Sequence, residues 1–193
     1  MAVFERFQAF LSKRCEGISP CSKENLKNER SLCRYFFANK GDAKYGRVHV
    51  EAVVRCLTGN ARKWESSCGF FCYHPGDPDA CYVHPETGKL IIECKYLRKS
   101  SKDSNSGGCS NNGCDVRNGV LQLAEYMQCY KQQEGVLFVF CGRDIYEEMG
   151  NSGMTSRYFE DNQWMIQQGI NFVWCLVDEG QKLEVRYGKP SKK

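Results

Sequence analysis

Apolar residues in the first third of the chain recur at helical spacing and predict three helices. The first covers residues 2–13, where the aromatic and aliphatic side chains return every three or four positions, and the second covers 23–38. A third helix is predicted over 47–58, because its valines and leucine lie at i, i+3, i+4 and i+7 and Gly59 follows as a stop signal.

The middle of the chain predicts a β-hairpin. The run DACYVH is followed by the turn sequence PETGK and then by KLIIECKYL. Residues 100–114 are rich in serine, glycine and asparagine and are typical of a flexible loop.

The last part of the chain alternates between helices and strands. A helix with Asp115 as its N-cap is predicted from apolar residues at 116, 120, 123, 127 and 130, and a further helix is predicted near 156–168. Three strands are predicted, with the sequences GVLFVF, INFVWCLV and KLEVRY, and the first of them is apolar throughout, as in a strand buried on both faces.

This order of elements predicts an α/β fold with a central mixed β-sheet flanked by helices. The length of 193 residues suits one domain over 1–193, with an N-terminal helical extension over 1–40 and a core over 45–187.

Composition and charge narrow the class of protein only slightly. No apolar run approaches the ~20 residues of a membrane helix, and the first residues lack the apolar block of a signal peptide, so we expect an intracellular protein, nuclear or cytoplasmic, without a membrane partner. The odd number of 13 cysteines favours reduced thiols over a disulfide framework. A net charge of +4 permits contact with a phosphate backbone without indicating it.

The hairpin carries the strongest chemical signal. Alternation along the strand places Ile91, Glu93 and Lys95 on one face, and the apolar residues on both faces predict a central strand. If the numbers of paired residues add to about 173, Asp79 lies opposite position 94, beside both Glu93 and Lys95. Two such carboxylates repel each other unless a cation joins them, and oxygen ligands select Mg²⁺ or Mn²⁺. Lys95 could then orient or help deprotonate a water, or stabilise a developing anion.

These residues form a pattern known from a family. Pro78-Asp79, then 13 residues, then Glu93-Cys94-Lys95 resembles the signature of the PD-(D/E)xK nuclease superfamily. The segment GRVHVEAVVRCL resembles the helix that supplies a further acidic ligand there, in this chain Glu51. The segment GVLQLAEYMQCYKQQEGVLFVF resembles the lambda-exonuclease and YqaJ-like viral recombinase branch, in which a helix glutamine, here Gln122, supports the site. The resemblance covers residues 45–141.

The resemblance implies a restriction-endonuclease-like core and a nuclease that depends on Mg²⁺ or Mn²⁺. Its substrate would be DNA, with RNA possible, and its action exonuclease-like, with endonuclease action and the oligomeric state left open. The implied catalytic residues are Asp79, Glu93, Lys95, Gln122 and Glu51. The implied metal ligands are Asp79, Glu93, Glu51, His49 and the backbone carbonyl of Cys94, although His49 competes with Glu51 and also suits a packing role.

Basic residues follow the predicted catalytic strand. Arg98, Lys99 and Lys102 lie where a phosphate backbone would pass, and they are the predicted nucleic-acid contacts, with solvated surface charges as the alternative.

A zinc site is the main competing hypothesis. Soft ligands are present at Cys68, Cys72, His74, Cys81 and His84, and Cys109 and Cys114 could join them. In that case the chain would be a zinc-organised nucleic-acid-binding or protein-interaction module without catalysis.

Overall fold

Four α-helices and six strands make up the described part of this computed structural model, which covers residues 2–37, 45–50, 78–98, 111–151 and 168–190. The helices are α1 Val3–Gly17, α2 Glu29–Phe37, α3 Asn111–Cys129 and α4 Arg143–Asn151, with a short 3-10 helix at Asn25–Lys27. The strands are β1 Arg47–His49, β2 Ala80–His84, β3 Gly88–Tyr96, β4 Gly135–Cys141, β5 Ile170–Leu176 and β6 Glu184–Tyr187.

The six strands form one mixed sheet in which spatial order follows chain order. Strands β3, β4 and β5 are parallel, and the outer pairs β1–β2, β2–β3 and β5–β6 are antiparallel. The predicted α/β fold with a mixed sheet flanked by helices is therefore confirmed.

Each face of the sheet carries its own apolar core. Helices α1 and α2 cover one face, where Phe7 and Phe36 pack with Ile92 and Phe138. Helices α3 and α4 cover the other face and form a second cluster with Ile91, Leu137 and Trp174. Because β3 contributes to both clusters, it is a central strand, as its sequence predicted, and any polar side chain in its middle is enclosed by protein.

The β2–β3 hairpin has the predicted turn with a slightly different register. Ala80 lies opposite Ile92 and Cys81 opposite Ile91, so the numbers of paired residues add to 172 rather than 173. Gly88 closes the turn with a φ of 108°, a left-handed conformation that favours glycine. Asp79 directly precedes β2, and this register directs it toward Glu93.

Several predicted boundaries were wrong. Arg47–His49 is the first strand of the described sheet, not the start of a helix, because its backbone pairs with Cys81–Val83. The rest of the predicted 47–58 helix beyond Val50 lies outside the described residues. Helix α3 begins at Asn111, so Asp115 is inside the helix rather than its N-cap. Helix α4 was not predicted, and the helix predicted near 156–168 falls on residues that the structure does not describe, apart from a turn at 168.

The second predicted helix is divided in two. Residues 25–27 form the 3-10 helix, and α2 starts only after Asn28, whose side-chain oxygen accepts a hydrogen bond from the Ser31 N–H at 2.8 Å. Asparagine is a favoured N-cap because it satisfies a backbone donor that the first helical turn leaves open. The cap makes Glu29 the first residue of α2.

Among the described helices, none combines the length and the hydropathy that a membrane crossing requires.

Candidate functional site

Asp79, Glu93 and Lys95 meet at the middle of β3. The Lys95 Nζ donates a hydrogen bond to the Glu93 Oε1 at 2.7 Å, and the Asp79 carboxyl lies close enough to Glu93 for its charge to raise the Glu93 pKa. Asp79 is also bound to the backbone of the facing strand, because its Oδ2 accepts a hydrogen bond from the Cys94 N–H at 2.8 Å. Only 4% of the Glu93 surface is exposed. The hairpin thus brings together the three residues that the sequence analysis selected.

The pKa values of the two carboxyl groups are both raised by their surroundings. Burial, together with the charge of Asp79, raises the pKa of Glu93 to about 8, although Lys95 acts in the opposite direction. Burial also raises the pKa of Asp79, against the stabilising hydrogen bond from Cys94 and the charge of Lys95. Without a cation, the pair therefore retains a proton at neutral pH.

Lys95 remains an ammonium in this setting. Burial works to lower its pKa, but the carboxylates of Glu93, Glu29 and Asp79 outweigh burial and raise the pKa above the ordinary value of 10.5. At neutral pH the side chain is therefore a fixed positive charge and a donor of hydrogen bonds, not a base.

Glu29 is a fourth charged residue at this site, and the sequence analysis missed it. Its Oε2 accepts a hydrogen bond from the Tyr96 N–H at 2.9 Å, 67 residues along the chain. Burial raises the pKa of Glu29, as does the charge of Asp79, while Lys95 lowers it. The only local signal was an acidic residue directly after the Asn28 cap, which is common at helix N-termini and does not reveal a distant partner.

Gln122 shares a cleft with Lys95. The cleft has a volume of about 590 Å³, and its lining also includes Glu29, Asp115 and Glu125. Gln122 is half-buried on α3 and lines the cleft together with Lys95. The structure therefore joins the sequence-selected glutamine to the same site.

The remaining predicted ligands fall in different places. The Cys94 backbone lies beside the carboxyl pair because its N–H binds Asp79, and its thiol lies on the opposite face, 3.6 Å from the Cys33 sulfur. His49 is half-buried on β1 opposite Cys81, and no contact joins it to Asp79 or Glu93 within the described hydrogen bonds. Glu51 lies outside the described residues.

The predicted basic contacts are described only at Arg98. Its guanidinium lies 4.6 Å from the centre of the Tyr96 ring and donates to the Lys27 carbonyl, so Arg98 links β3 to the N-terminal segment. Lys99 and Lys102 lie outside the described residues.

Cys81 and His84, two ligands of the hypothetical zinc site, are not placed to bind the same ion. Cys81 and His84 are three positions apart on β2, so their side chains project to opposite faces of the sheet. The His84 Nδ1 already accepts a hydrogen bond from the Glu86 N–H at 3.2 Å. Cys68, Cys72, His74 and Cys109 lie outside the described residues, as does the Cys114 side chain.

The donor set at Asp79 and Glu93 suits a hard cation. Both side chains offer oxygen, and burial raises the pKa of both carboxyl groups even with Lys95 beside them, so a bound cation would stabilise the ionised pair. Over the described ranges, no three Asp, Glu, His or Cys side chains form a ready metal centre. The arrangement resembles the usual way of holding Mg²⁺, in which one or two carboxylates act together with waters and substrate phosphates.

Comparison of the chain with protein-family models, with curated proteins and with solved structures found no match. The site is therefore interpreted from its own geometry.

The absence of a side chain at Gly119 of α3 leaves space for the Lys95 side chain. A methyl group at this position would lie 3.0 Å from the Lys95 Cγ and Cε and 2.7 Å from a Leu137 methyl. An alanine would normally stabilise a helix by about 1 kcal/mol relative to glycine, but overpacking costs about 1–3 kcal/mol. We predict that Gly119→Ala lowers the free energy of unfolding and displaces Lys95 from Glu93.

Gly17, the last residue of α1, is the matched control because nothing lies within 4 Å of a methyl group added there. Denaturant unfolding should show Gly119→Ala less stable than Gly17→Ala by about 1–3 kcal/mol. Equal effects of the two alanines would mean that Gly119 does not shape the position of Lys95.

Proposed function

We propose that this protein is a Mg²⁺- or Mn²⁺-dependent nuclease of the PD-(D/E)xK type that hydrolyses phosphodiester bonds of DNA, in an exonuclease-like manner. The observation that carries the proposal is the meeting of three side chains on the hairpin: the Lys95 ammonium is 2.7 Å from the buried Glu93 carboxyl, and Asp79 is held beside them by the Cys94 N–H at 2.8 Å. Buried charges are costly unless they are paired or bind an ion, so the protein retains this cluster at a cost to stability. The sequence resemblance at Pro78–Asp79 and Glu93–Lys95 supports the same function.

Each residue then has a role that follows from its chemistry. Asp79 and Glu93 would hold the cation, and the charge of Glu29 would act on the site from nearby, since the pKa of Glu29 responds to Asp79 and Lys95. A bound Mg²⁺ or Mn²⁺ would polarise the phosphodiester and lower the pKa of a water to make it a nucleophile at neutral pH. The Lys95 ammonium would stabilise the negative charge that develops on the phosphate oxygens. Gln122, in the same cleft, would orient a substrate or water oxygen through its amide.

The test is cleavage of end-labelled linear duplex, circular duplex and single-stranded DNA, with a matched RNA, in EDTA, Mg²⁺, Mn²⁺ or Zn²⁺. We expect cleavage of linear DNA in Mg²⁺ or Mn²⁺ and none in EDTA. Progressive shortening from one end with circles left intact would establish exonuclease action. A Glu93→Gln protein purified in parallel measures any contaminating nuclease.

Absence of cleavage of every substrate in both Mg²⁺ and Mn²⁺ would refute the proposal. Activity that persists in EDTA, or that the Glu93→Gln preparation retains in full, would refute the role of the carboxyl pair.

A further inference from the structure

A second cleft lies beside the carboxyl pair, on the side of α2. Its volume is about 530 Å³, and its lining includes Glu29, Arg30, Arg34 and Asp79. Glu29 lines both this cleft and the cleft that contains Lys95, so the two clefts are neighbours on either side of Glu29. A ligand bound in the second cleft would therefore lie against Asp79 and the two arginines together.

The two arginines are well placed for an extended anion. Arg30 and Arg34 are both exposed and lie one helical turn apart, so their side chains stand next to each other on one face of α2. Arg30 makes no hydrogen bond or ion pair within the described part of the chain. Like charges at this spacing destabilise a helix slightly. The guanidinium is the side chain best suited to bidentate contact with phosphate.

The cleft that contains Lys95 and Gln122, here the first cleft, has more carboxylates than cations in its described lining. Its described lining residues include the carboxylates of Glu29, Asp115 and Glu125 and one cation, Lys95. An anionic strand would meet net repulsion along that wall, whereas in the second cleft two arginines balance the two carboxylates. Arg98, the described member of the basic set predicted from the sequence, already donates to the Lys27 carbonyl and stacks on Tyr96.

We propose that the second cleft is a binding site for the sugar–phosphate backbone of a nucleic-acid strand, in which Arg30 and Arg34 contact the phosphates next to the one placed at Asp79 and Glu93. This inference rests on the proposed nuclease function and adds the path of the strand, which runs along α2. Helix α2, a part of the chain that the family resemblance does not cover, thereby becomes part of the substrate site.

Binding to a short DNA duplex can be measured in the Glu93→Gln background between 50 and 300 mM salt. Each phosphate contact on a duplex contributes about 0.9 to the slope of log K against log salt, so Arg30→Ala with Arg34→Ala should reduce the slope by about 1.8. The charge-matched control is Lys13→Ala with Lys23→Ala, two lysines whose side chains are 61% and 80% exposed. Neither lysine lines the second cleft. Arg30→Lys with Arg34→Lys keeps both charges and should keep most of the slope.

The outcomes separate this inference from the proposed activity. If the wild type cleaves DNA but the arginine pair and the lysine pair change the slope equally, the strand does not follow α2 and the inference is overturned. If the wild type does not cleave but only the arginine pair lowers the slope, the binding site stands and the nuclease proposal falls. A folded double-alanine variant with an unchanged slope also overturns the inference.

Discussion

Glu93→Gln is expected to lower the rate of DNA cleavage by at least about 100-fold, because Lewis-acid catalysis supplies several kcal/mol and each 1.4 kcal/mol is a factor of ten. Asp79→Asn should have a similar effect. Each substitution keeps the size and the hydrogen-bonding oxygen of the side chain and removes only the charge that would hold the cation. The measurement is the single-turnover rate in Mg²⁺ and in Mn²⁺.

The same substitutions should not harm the metal-free fold. The folded state raises the pKa of Glu93 from its ordinary 4.5 to about 8, so it favours the protonated acid. That contribution to stability is fully present below about pH 4.5 and is lost as the pH rises through about 8. Glutamine does not titrate. In EDTA, the free energy of unfolding of Glu93→Gln should therefore fall less than that of the wild type as the pH rises from about 4.5 to about 8. Near pH 8, Glu93→Gln should be the more stable of the two proteins.

Glu86→Gln is the control, because Glu86 lies in the hairpin turn and its side chain is 72% exposed. It should leave the cleavage rate unchanged. If Glu93→Gln or Asp79→Asn cleaves DNA at the wild-type rate, the two carboxylates do not hold a catalytic cation. If Glu93→Gln leaves the pH dependence of unfolding unchanged, then folding does not raise the pKa of the Glu93 carboxyl.

Lys95→Ala is expected to abolish most cleavage while affinity for Mn²⁺ stays within about tenfold of the wild type. The ammonium is not a metal ligand, and electrostatic donors at a reacting centre contribute about 10²–10³ in rate. Its effects on metal affinity oppose each other. Lys95 lowers the pKa of Glu93 and so favours the ionised ligand. It also pairs with the Glu93 oxygen at 2.7 Å and so competes with the cation.

Calorimetric titration with Mn²⁺ and single-turnover cleavage on the same preparation test this prediction. Lys89→Ala is the control, since Lys89 lies on the same strand and the same face, six positions before Lys95, and lines neither cleft. Loss of metal affinity in parallel with activity would assign Lys95 to the structure of the site instead of to the reaction.

The central part of the candidate site was accessible from sequence because it is local. Alternation along one strand, with apolar residues on both faces, was enough to bury Glu93 and Lys95 together. One tight turn was enough to bring Asp79 next to them. An error of one in the register did not separate them, because the side chains of facing and diagonal residues remain within reach.

Errors arose where local patterns were ambiguous or where tertiary contacts decided. The valines after Arg47 fit helical spacing, yet strand pairing with β2 decides the conformation of Arg47–His49. Short apolar runs cannot be assigned by periodicity alone. Helix α4 is only nine residues long and follows β4 almost directly, so its signal was easily merged with the strand.

The sequence by itself determined the α/β class, the central position of β3 and the grouping of Asp79, Glu93 and Lys95, because these depend on side-chain alternation and on a turn between neighbouring segments. The tertiary structure alone decided that Glu29 joins them and that Arg30 and Arg34 line the adjoining cleft. Those residues belong to a helix whose packing across β3, through contacts such as Cys33 with Cys94 and Glu29 with Tyr96, brings together positions about 60 residues apart. Only the folded core supplies the free energy that holds such charges in place, and no local pattern encodes it.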